Sequence, residues 1–285
     1  MHIKKNLLIS GASGSIGKKL KVLLEREGVK VYSLSLRNSK TIKKDTSSIG
    51  KIDFFLHLAS QNSKMNHSSY SKDEIHILNQ AKKVCSDLNI RNFIFTSTSL
   101  VYGKEYSQKE AYTEGKKTSP FNIYAKAKLL CEKDLNDWYI HNDINLWILR
   151  LAPFIDIESN SKIAKLIRFT NIFNIFISYR DLLLNKRSFT DCDHLLKIVD
   201  KIIKSETVSS GRPFKKIYNV ANPEVLSTLE LIKRYRNNEN KLKLIYLPSF
   251  LINFLFSIPA IGKIFKNLSE NHFISTKVIY KDLRF

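Results

Sequence analysis

Glycine and proline are scarce in this chain, nine and six among 285 residues, which excludes collagen-like and low-complexity disordered compositions. The three cysteines, Cys85, Cys131 and Cys192, are odd in number and widely spaced. They suit no disulfide scaffold, so reduced thiols and a cytoplasmic setting are expected. The seven histidines form neither a His-Glu-x-x-His pattern nor a Cys/His cluster, and no metal site is expected. Acidic residues are in deficit, 26 against 47 lysines and arginines, for a net charge of +21. Such an excess attracts nucleic acid, anionic membranes or phosphorylated ligands. The lysines are dispersed, however, and no zinc finger or aromatic-interleaved basic motif accompanies them. Nucleic acid is therefore not an expected partner, whereas a general attraction for phosphorylated ligands is.

Long apolar runs are also missing, with one exception. The opening "MHIKKNLLIS" has too short an apolar stretch before its glycines to read as a secretory signal. From Leu244 to Gly262, "LIYLPSFLINFLFSIPAIG", no residue is charged. Pro248 and Pro259 confine any helix there to less than a membrane span. A buried helix is the expectation, with a peripheral membrane contact through 244–262 as the alternative.

What is present alternates strand and helix. "NLLIS", "KVYSLSL", "DFFLHLA", "NFIFTST" and "INLWILRLA" read as strands apolar on both faces. Helical patterns separate them, notably around Asp73–Leu88 and Tyr124–Trp138. That alternation predicts an α/β fold with a parallel sheet covered on both sides. After Pro153 the rhythm changes, with helices at Ser161–Phe169 and in "DHLLKIVDKII". "KIYNVA" reads as a later strand, near 215–222, that rejoins the sheet.

Gly11, Gly14 and Gly17 recur every third residue directly after the first strand. A strand, a glycine turn and a helix bring unpaired N–H groups and the positive end of a helix dipole to one sheet edge, which favours phosphate. Gly11 suits the tight turn, Gly14 bares the backbone for a pyrophosphate, and Gly17 allows close helix packing. Further on, Tyr124 and Lys128 stand four apart on one helix face. An ammonium beside a phenol stabilises phenolate and lowers the tyrosine pKa, so the pair can move the proton of a carbinol while hydride moves to or from nicotinamide. Thr98 or Ser99, at the end of a strand, can donate a hydrogen bond to the reacting oxygen.

With these stations in place, the sequence resembles the extended short-chain dehydrogenase/reductases, in their nucleotide-sugar epimerase/dehydratase/reductase branch. "GASGSIG" resembles the family's cofactor loop, "DFFLHLAS" its third strand, and "FIFTSTSLVYG" its active-site strand and loop. "YAKAK" matches Tyr-x-x-x-Lys, "LRLAP" the Arg-x-x-Pro, "NKRSFTDCDHL" the arginine-bearing loop, and "YNVANPEVLSTLEL" the late strand and helix. The resemblance implies a Rossmann-type doubly wound sheet over 1–155 and a smaller, interleaved substrate domain over 156–285. It implies Tyr124 as acid/base, Lys128 as its partner and ribose ligand, and Thr98 in preference to Ser99 as hydroxyl donor. Gly11, Ser13, Gly14, Ser15, Ile16, Gly17, Ser35, Leu58, Ala59, Ser60 and Pro153 would contact the cofactor together with Tyr124 and Lys128. Asp45 would meet the adenine. Arg187 and Asn160 would hold the nucleotide-diphospho-sugar, beside Thr98, Ser99 and Tyr124. His57 reads as structural, and a homodimer is usual for the family.

Departures from the pattern bear on specificity. Where NAD-preferring relatives carry an acid after the second strand, this chain has Ser35, with Arg37 following. A small hydroxyl plus a cation suits a 2′-phosphate, so NADP(H) is favoured over NAD(H). Ala127 replaces the serine usual before the lysine, and "PFIDIESN" lacks the usual glycine-rich turn. A dehydratase would have an acidic pair where Ser99 and Leu100 stand. The expected activity is reduction of a 4-keto nucleotide sugar for surface polysaccharide. A 4-epimerase is the alternative, and a non-catalytic dinucleotide sensor or assembly factor is the alternative from another class.

Overall fold

The computed structural model of the protein describes residues 5–36, 50–61, 69–105, 108–159, 161–178, 184–205, 212–236, 241–259, 262 and 270–285. Six parallel strands form its main sheet: β1 (Asn6–Ser10), β2 (Lys30–Leu34), β3 (Phe54–His57), β4 (Asn92–Thr98), β5 (Asn145–Leu151) and β7 (Lys215–Val220). The spatial order is β2-β1-β3-β4-β5-β7. After β1 the chain runs to one side for β2 and to the other for β3. The carboxyl ends of β1 and β3 therefore flank the switch point at which open α/β sheets bind ligands.

The alternation of strand side chains divides the core between two faces. Leu7 and Ile9 of β1 point to the face covered by α1 (Ser15–Arg26) and α5 (Cys192–Lys204), whose Leu20, Leu24, Leu195, Ile198 and Ile202 are fully buried. Leu8 points to the other face, covered by α2 (Tyr70–Asp87) and α3 (Ile123–His141) through Leu78, Ala81, Cys131 and Leu135. Every residue of β4 is buried, as a central parallel strand requires. The expected late strand is β7, which pairs with β5 at the sheet edge.

Beyond β5 lie α4 (Lys162–Phe173), β6 (Ile175–Ser178), α6 (Thr228–Tyr235), β8 (Lys243–Tyr246), α7 (Ser249–Ser257) and α8 (Lys277–Asp282). Strands β6 and β8 make a separate two-stranded parallel sheet. Ile155, Ile167, Phe176, Phe189, Leu231 and Ile232 form a second core beneath it. Helix α6 starts on a reciprocal cap: Ser227 Oγ accepts from Glu230 N, and Glu230 accepts from Ser227 N at 2.7 Å.

The expectation of a buried helix within 244–262 is not met. Helix α7 lies between the two prolines as expected, but Phe250 is 68% exposed and Phe254 62%, with Tyr246 of β8 at 61%. Ile252 is the α7 side chain that packs on the second core among the described residues. A helix apolar over most of its circumference needs cover on several sides to be buried, and the described neighbours supply it on one. No helix among the described residues is long and apolar enough to cross a membrane.

Candidate active site

The glycine turn sits at the β1/β3 switch point. Gly11 has φ +77°, and a Cβ there would lie 2.7 Å from the backbone nitrogen of Ala59; any side chain would push β1 and β3 apart. Gly17 is required by the turn itself more than by the strand, because its Cβ would collide with the Gly11 carbonyl and the Ala12 Cα. Gly14 is the N-cap of α1 and gives no side-chain cap, and the first turn of α1 holds no acid. The helix thus presents its uncapped N–H groups and positive dipole end to the outside.

A groove of about 960 Å³ opens over this turn. Its walls are Gly11–Gly14, the chain from Ser33 to Leu36 at the end of β2, Leu58–Gln61 after β3, and Asp73, His76 and Ile77 of α2. The volume is that of a large ligand site, and a bare glycine backbone at a helix N-terminus fits a pyrophosphate. The groove and its cradle therefore fit a nicotinamide dinucleotide. Of the residues expected at the cofactor, Gly11, Ser13, Gly14, Ser35, Leu58, Ala59 and Ser60 line it. Ser15 is exposed at the start of α1, Ile16 packs on the core, and Gly17 is buried against the turn; none of the three lines the groove, and neither do Tyr124 and Lys128. Arg37, Asp45 and Asn160 lie outside the described residues.

Helix α3 begins where Asn122, in extended conformation, accepts Ala125 N–H through its side chain at 2.7 Å. That cap puts Tyr124 in the first turn and Lys128 one turn later on the same face. Lys128 is 1% exposed. Its Nζ lies 2.9 Å from Glu74 Oε1 and 4.9 Å from the centre of the Phe95 ring. Burial by itself would draw the Lys128 pKa down, but Glu74 and Tyr124 outweigh it and raise the ammonium above its ordinary range. Lys128 is a buried, permanent cation.

The sequence expectation for Tyr124 needs correction here. Lys128 does pull the phenol down, but burial, helped by Glu74, pushes it above its ordinary value. The expected ammonium is present; the carboxylate that offsets it was not foreseen. Glu74 also accepts from Ser60 Oγ at 2.8 Å and from Gln61 N at 2.9 Å. It thereby ties the groove wall to the Tyr124–Lys128 pair.

Thr98 ends β4, and its Oγ1 accepts Leu100 N–H at 3.3 Å, an arrangement that leaves the hydroxyl proton to donate elsewhere. Ser99 is fully buried and bonded to His272 Nε2 at 2.9 Å. Burial, with Arg187 and Lys104 nearby, lowers His272 to about 4, so this imidazole is neutral. His57 has the structural place expected of it: Ser10 Oγ lies 2.8 Å from its Nδ1, and burial with Lys128 lowers its pKa to about 3.

Arg187 lines a smaller cavity of about 150 Å³ with Leu100, Lys104, Phe121, Pro153 and His272. Pro153, expected at the cofactor, faces this cavity and not the groove. The Arg187 guanidinium donates to the Glu270 carbonyl at 3.4 Å, and Lys104 pairs with the Glu270 carboxylate at 2.5 Å. Arg150 of the Arg-x-x-Pro segment serves the frame: it forks onto Glu132 at 2.7 Å and donates to Tyr102 Oη at 3.0 Å. A separate groove of about 700 Å³ between α1 and the start of α5 shares no wall with these sites, and its Lys19 is paired with Asp156 at 2.8 Å. No cluster of His, Cys, Asp and Glu among the described residues could hold a metal ion.

Solved structures share this architecture at low sequence identity. UDP-N-acetylglucosamine 4-epimerase from Bacillus cereus aligns with a TM-score of 0.76 at 17% identity, over 99% of this chain and 91% of its own. UDP-glucose 4-epimerase from Bifidobacterium longum, solved with NAD+ and UDP, aligns at 0.69 and 16% identity, over 99% and 93%. RMD from Pseudomonas aeruginosa, solved with NADPH, aligns at 0.70 and 16%, over 98% and 92%. No curated protein matches the sequence. The model of the NAD dependent epimerase/dehydratase family matches residues 7–221, a span that holds the glycine turn, Thr98, Tyr124, Lys128 and Arg187, and the chain belongs to that family.

Proposed function

We propose that the protein is an NADP(H)-dependent reductase of 4-keto nucleotide-diphospho-sugars, acting in the cytoplasm in surface-polysaccharide synthesis. The observation that carries this reading is the placement of Tyr124 in the first turn of α3, one turn before the buried Lys128 ammonium, with burial raising the pKa of its phenol. A phenol that keeps its proton at neutral pH is suited to give one to a carbonyl oxygen. A 4-epimerase uses the same Thr98, Tyr124 and Lys128 but retains its cofactor and recycles the hydride, whereas a site suited to a 2′-phosphate favours net reduction with cofactor exchange.

A bound nicotinamide dinucleotide would supply the hydride. Gly11, Gly14 and the α1 N-terminus would hold its phosphates, and Ser35 with Arg37 would receive a 2′-phosphate. Thr98 donates a hydrogen bond to the C4 carbonyl oxygen, and Tyr124 gives its proton to that oxygen as the carbonyl carbon is reduced. Lys128 would hold the cofactor ribose and stabilise the phenolate left behind. Arg187 and Lys104 offer cations to the diphosphate. The 150 Å³ cavity beside them takes part of such a ligand, not the whole. A homodimer is the proposed assembly.

The exposed aromatics Tyr246, Phe250 and Phe254 favour a second element: peripheral contact with an anionic membrane through 244–262. A +21 protein adds electrostatic attraction to such a surface.

The test is to offer the purified protein UDP- and dTDP-linked 4-keto sugars and their 4-hydroxy forms, following NADPH oxidation and product identity. NADPH consumption with a 4-keto sugar supports the reading. Interconversion of 4-hydroxy epimers without net cofactor turnover supports the epimerase. Dinucleotide binding with neither reaction supports the sensor.

A further inference from the structure

The family model and the Tyr-x-x-x-Lys motif account for Tyr124 and Lys128 but leave Glu74 unexplained. Its position is unusual on physical grounds. It lies on α2 in the stripe Tyr70, Glu74, Leu78, Ala81, Cys85, all buried against the sheet. An acid there is desolvated and needs partners. Glu74 has three: the Lys128 ammonium, the Ser60 hydroxyl and the Gln61 amide. Ser60 and Gln61 both line the dinucleotide groove, so the carboxylate links the groove wall to the Lys128 ammonium.

We propose that Glu74 is a positioning residue of the active site: its carboxylate, 2.9 Å from the Lys128 ammonium and bonded to Ser60 and Gln61 of the groove wall, fixes that ammonium and offsets its charge beside Tyr124. This deepens the reductase reading and rests on it for its link to turnover. An enzyme cannot move the reaction's equilibrium; what Glu74 sets is the pH range over which the donor form exists. The other titratable groups near the pair are few. Lys128 lowers the phenol and Glu74 raises it. Tyr70 on α2 donates to the Gln61 carbonyl at 3.0 Å and is itself pushed up to about 12, chiefly by burial and then by Glu74. His57 on β3 is neutral, and the Cys131 thiol on α3 is raised to about 12 by burial. Of these, Glu74 alone sets a negative charge against the Lys128 ammonium at bonding distance among the described residues. Its removal leaves Lys128 unopposed beside the phenol.

The test reads Tyr124 directly, without substrate. Phenolate absorbance is titrated in the cofactor-free protein and in Glu74→Gln, each against its own Tyr124→Phe partner, with circular dichroism confirming the fold. The Tyr124 midpoint is expected to fall by at least one pH unit in Glu74→Gln. In Glu74→Asp, which keeps the charge but withdraws it by one methylene, a smaller fall is expected. If Glu74→Gln does not fold, the Asp variant carries the test alone. A midpoint unchanged in the folded variants overturns the proposal, whether or not the protein reduces a sugar. With a reducible substrate, the alkaline limb of the turnover profile should move down in step with the titration. If the phenol shifts and no 4-keto sugar is reduced, the electrostatic role stands and the reductase reading fails.

Discussion

Lys128 and Glu74, one from each helix covering the same sheet face, meet at 2.9 Å with both side chains 2% exposed. A buried pair of this kind adds little net stability, but removing one partner strands a charge at a cost of about 3–5 kcal/mol. On the proposed function, the pair therefore matters for the chemistry of the neighbouring Tyr124 phenol, on which both charges act. The cation that a phenolate needs is present, yet held in check by a carboxylate.

The pH dependence follows from that balance. Tyr124's pKa is raised, by burial first, and carbonyl reduction needs the protonated form. Activity is present below that pKa and lost as pH rises through it. A reductive pH profile should stay level through neutrality and decline only above about 10, the ordinary value of a tyrosine. A rate that falls between pH 7 and 9 through a group absent from Tyr124→Phe would show a phenol more acidic than described.

The two hydroxyls after β4 should separate. Thr98 has its oxygen engaged by Leu100 N–H and its proton free for substrate, so Thr98→Ala should lower turnover by about 10²-fold or more, the usual loss of one donor to a reacting oxygen. Ser99→Ala leaves His272 without its hydroxyl partner and should cost about 1 kcal/mol of stability, with turnover changed only a few-fold. Steady-state rates and thermal denaturation of both variants measure this.

Arg37→Ala should weaken NADP(H) by tenfold or more while NAD(H) affinity changes little, on the proposal that its charge serves the 2′-phosphate. Fluorescence titration with both reduced cofactors decides it; equal losses would assign Arg37 no part in the choice.

Phe250→Ser combined with Phe254→Ser should release the protein from vesicles rich in anionic phospholipid. Burying a phenylalanine side chain is worth about 1.5–3 kcal/mol, so the partition should weaken by tenfold or more. Sedimentation with vesicles measures it, and parent protein that stays in the supernatant at low salt would dismiss the contact.

How much of this was legible in the sequence varied with the kind of interaction. The β1–Gly11–α1 unit was, because a strand period, a glycine turn and a helix period are local patterns. Tyr124 and Lys128 were, because four residues apart on a helix share a face. Glu74 was missed because an acid in an amphipathic helix normally faces water; the signal was its place in the Tyr70–Leu78–Ala81–Cys85 stripe, four residues from apolar neighbours on each side. Glu132, in the same stripe of α3 as Lys128 and Leu135, was hidden in the same way and meets Arg150 from a distant strand. The exposure of α7 was illegible for a further reason: hydropathy shows that Phe250 and Phe254 gain from cover, but not whether the fold provides it.

The account stands most directly on Tyr124→Phe, assayed for turnover of a 4-keto nucleotide sugar and, separately, for NADPH binding. The variant lacks one hydroxyl and keeps the groove, so turnover should fall by about 10²–10⁴-fold while the dissociation constant for NADPH stays within a few-fold. Turnover equal to that of the parent protein would contradict the proton-donor role on which the proposed function depends.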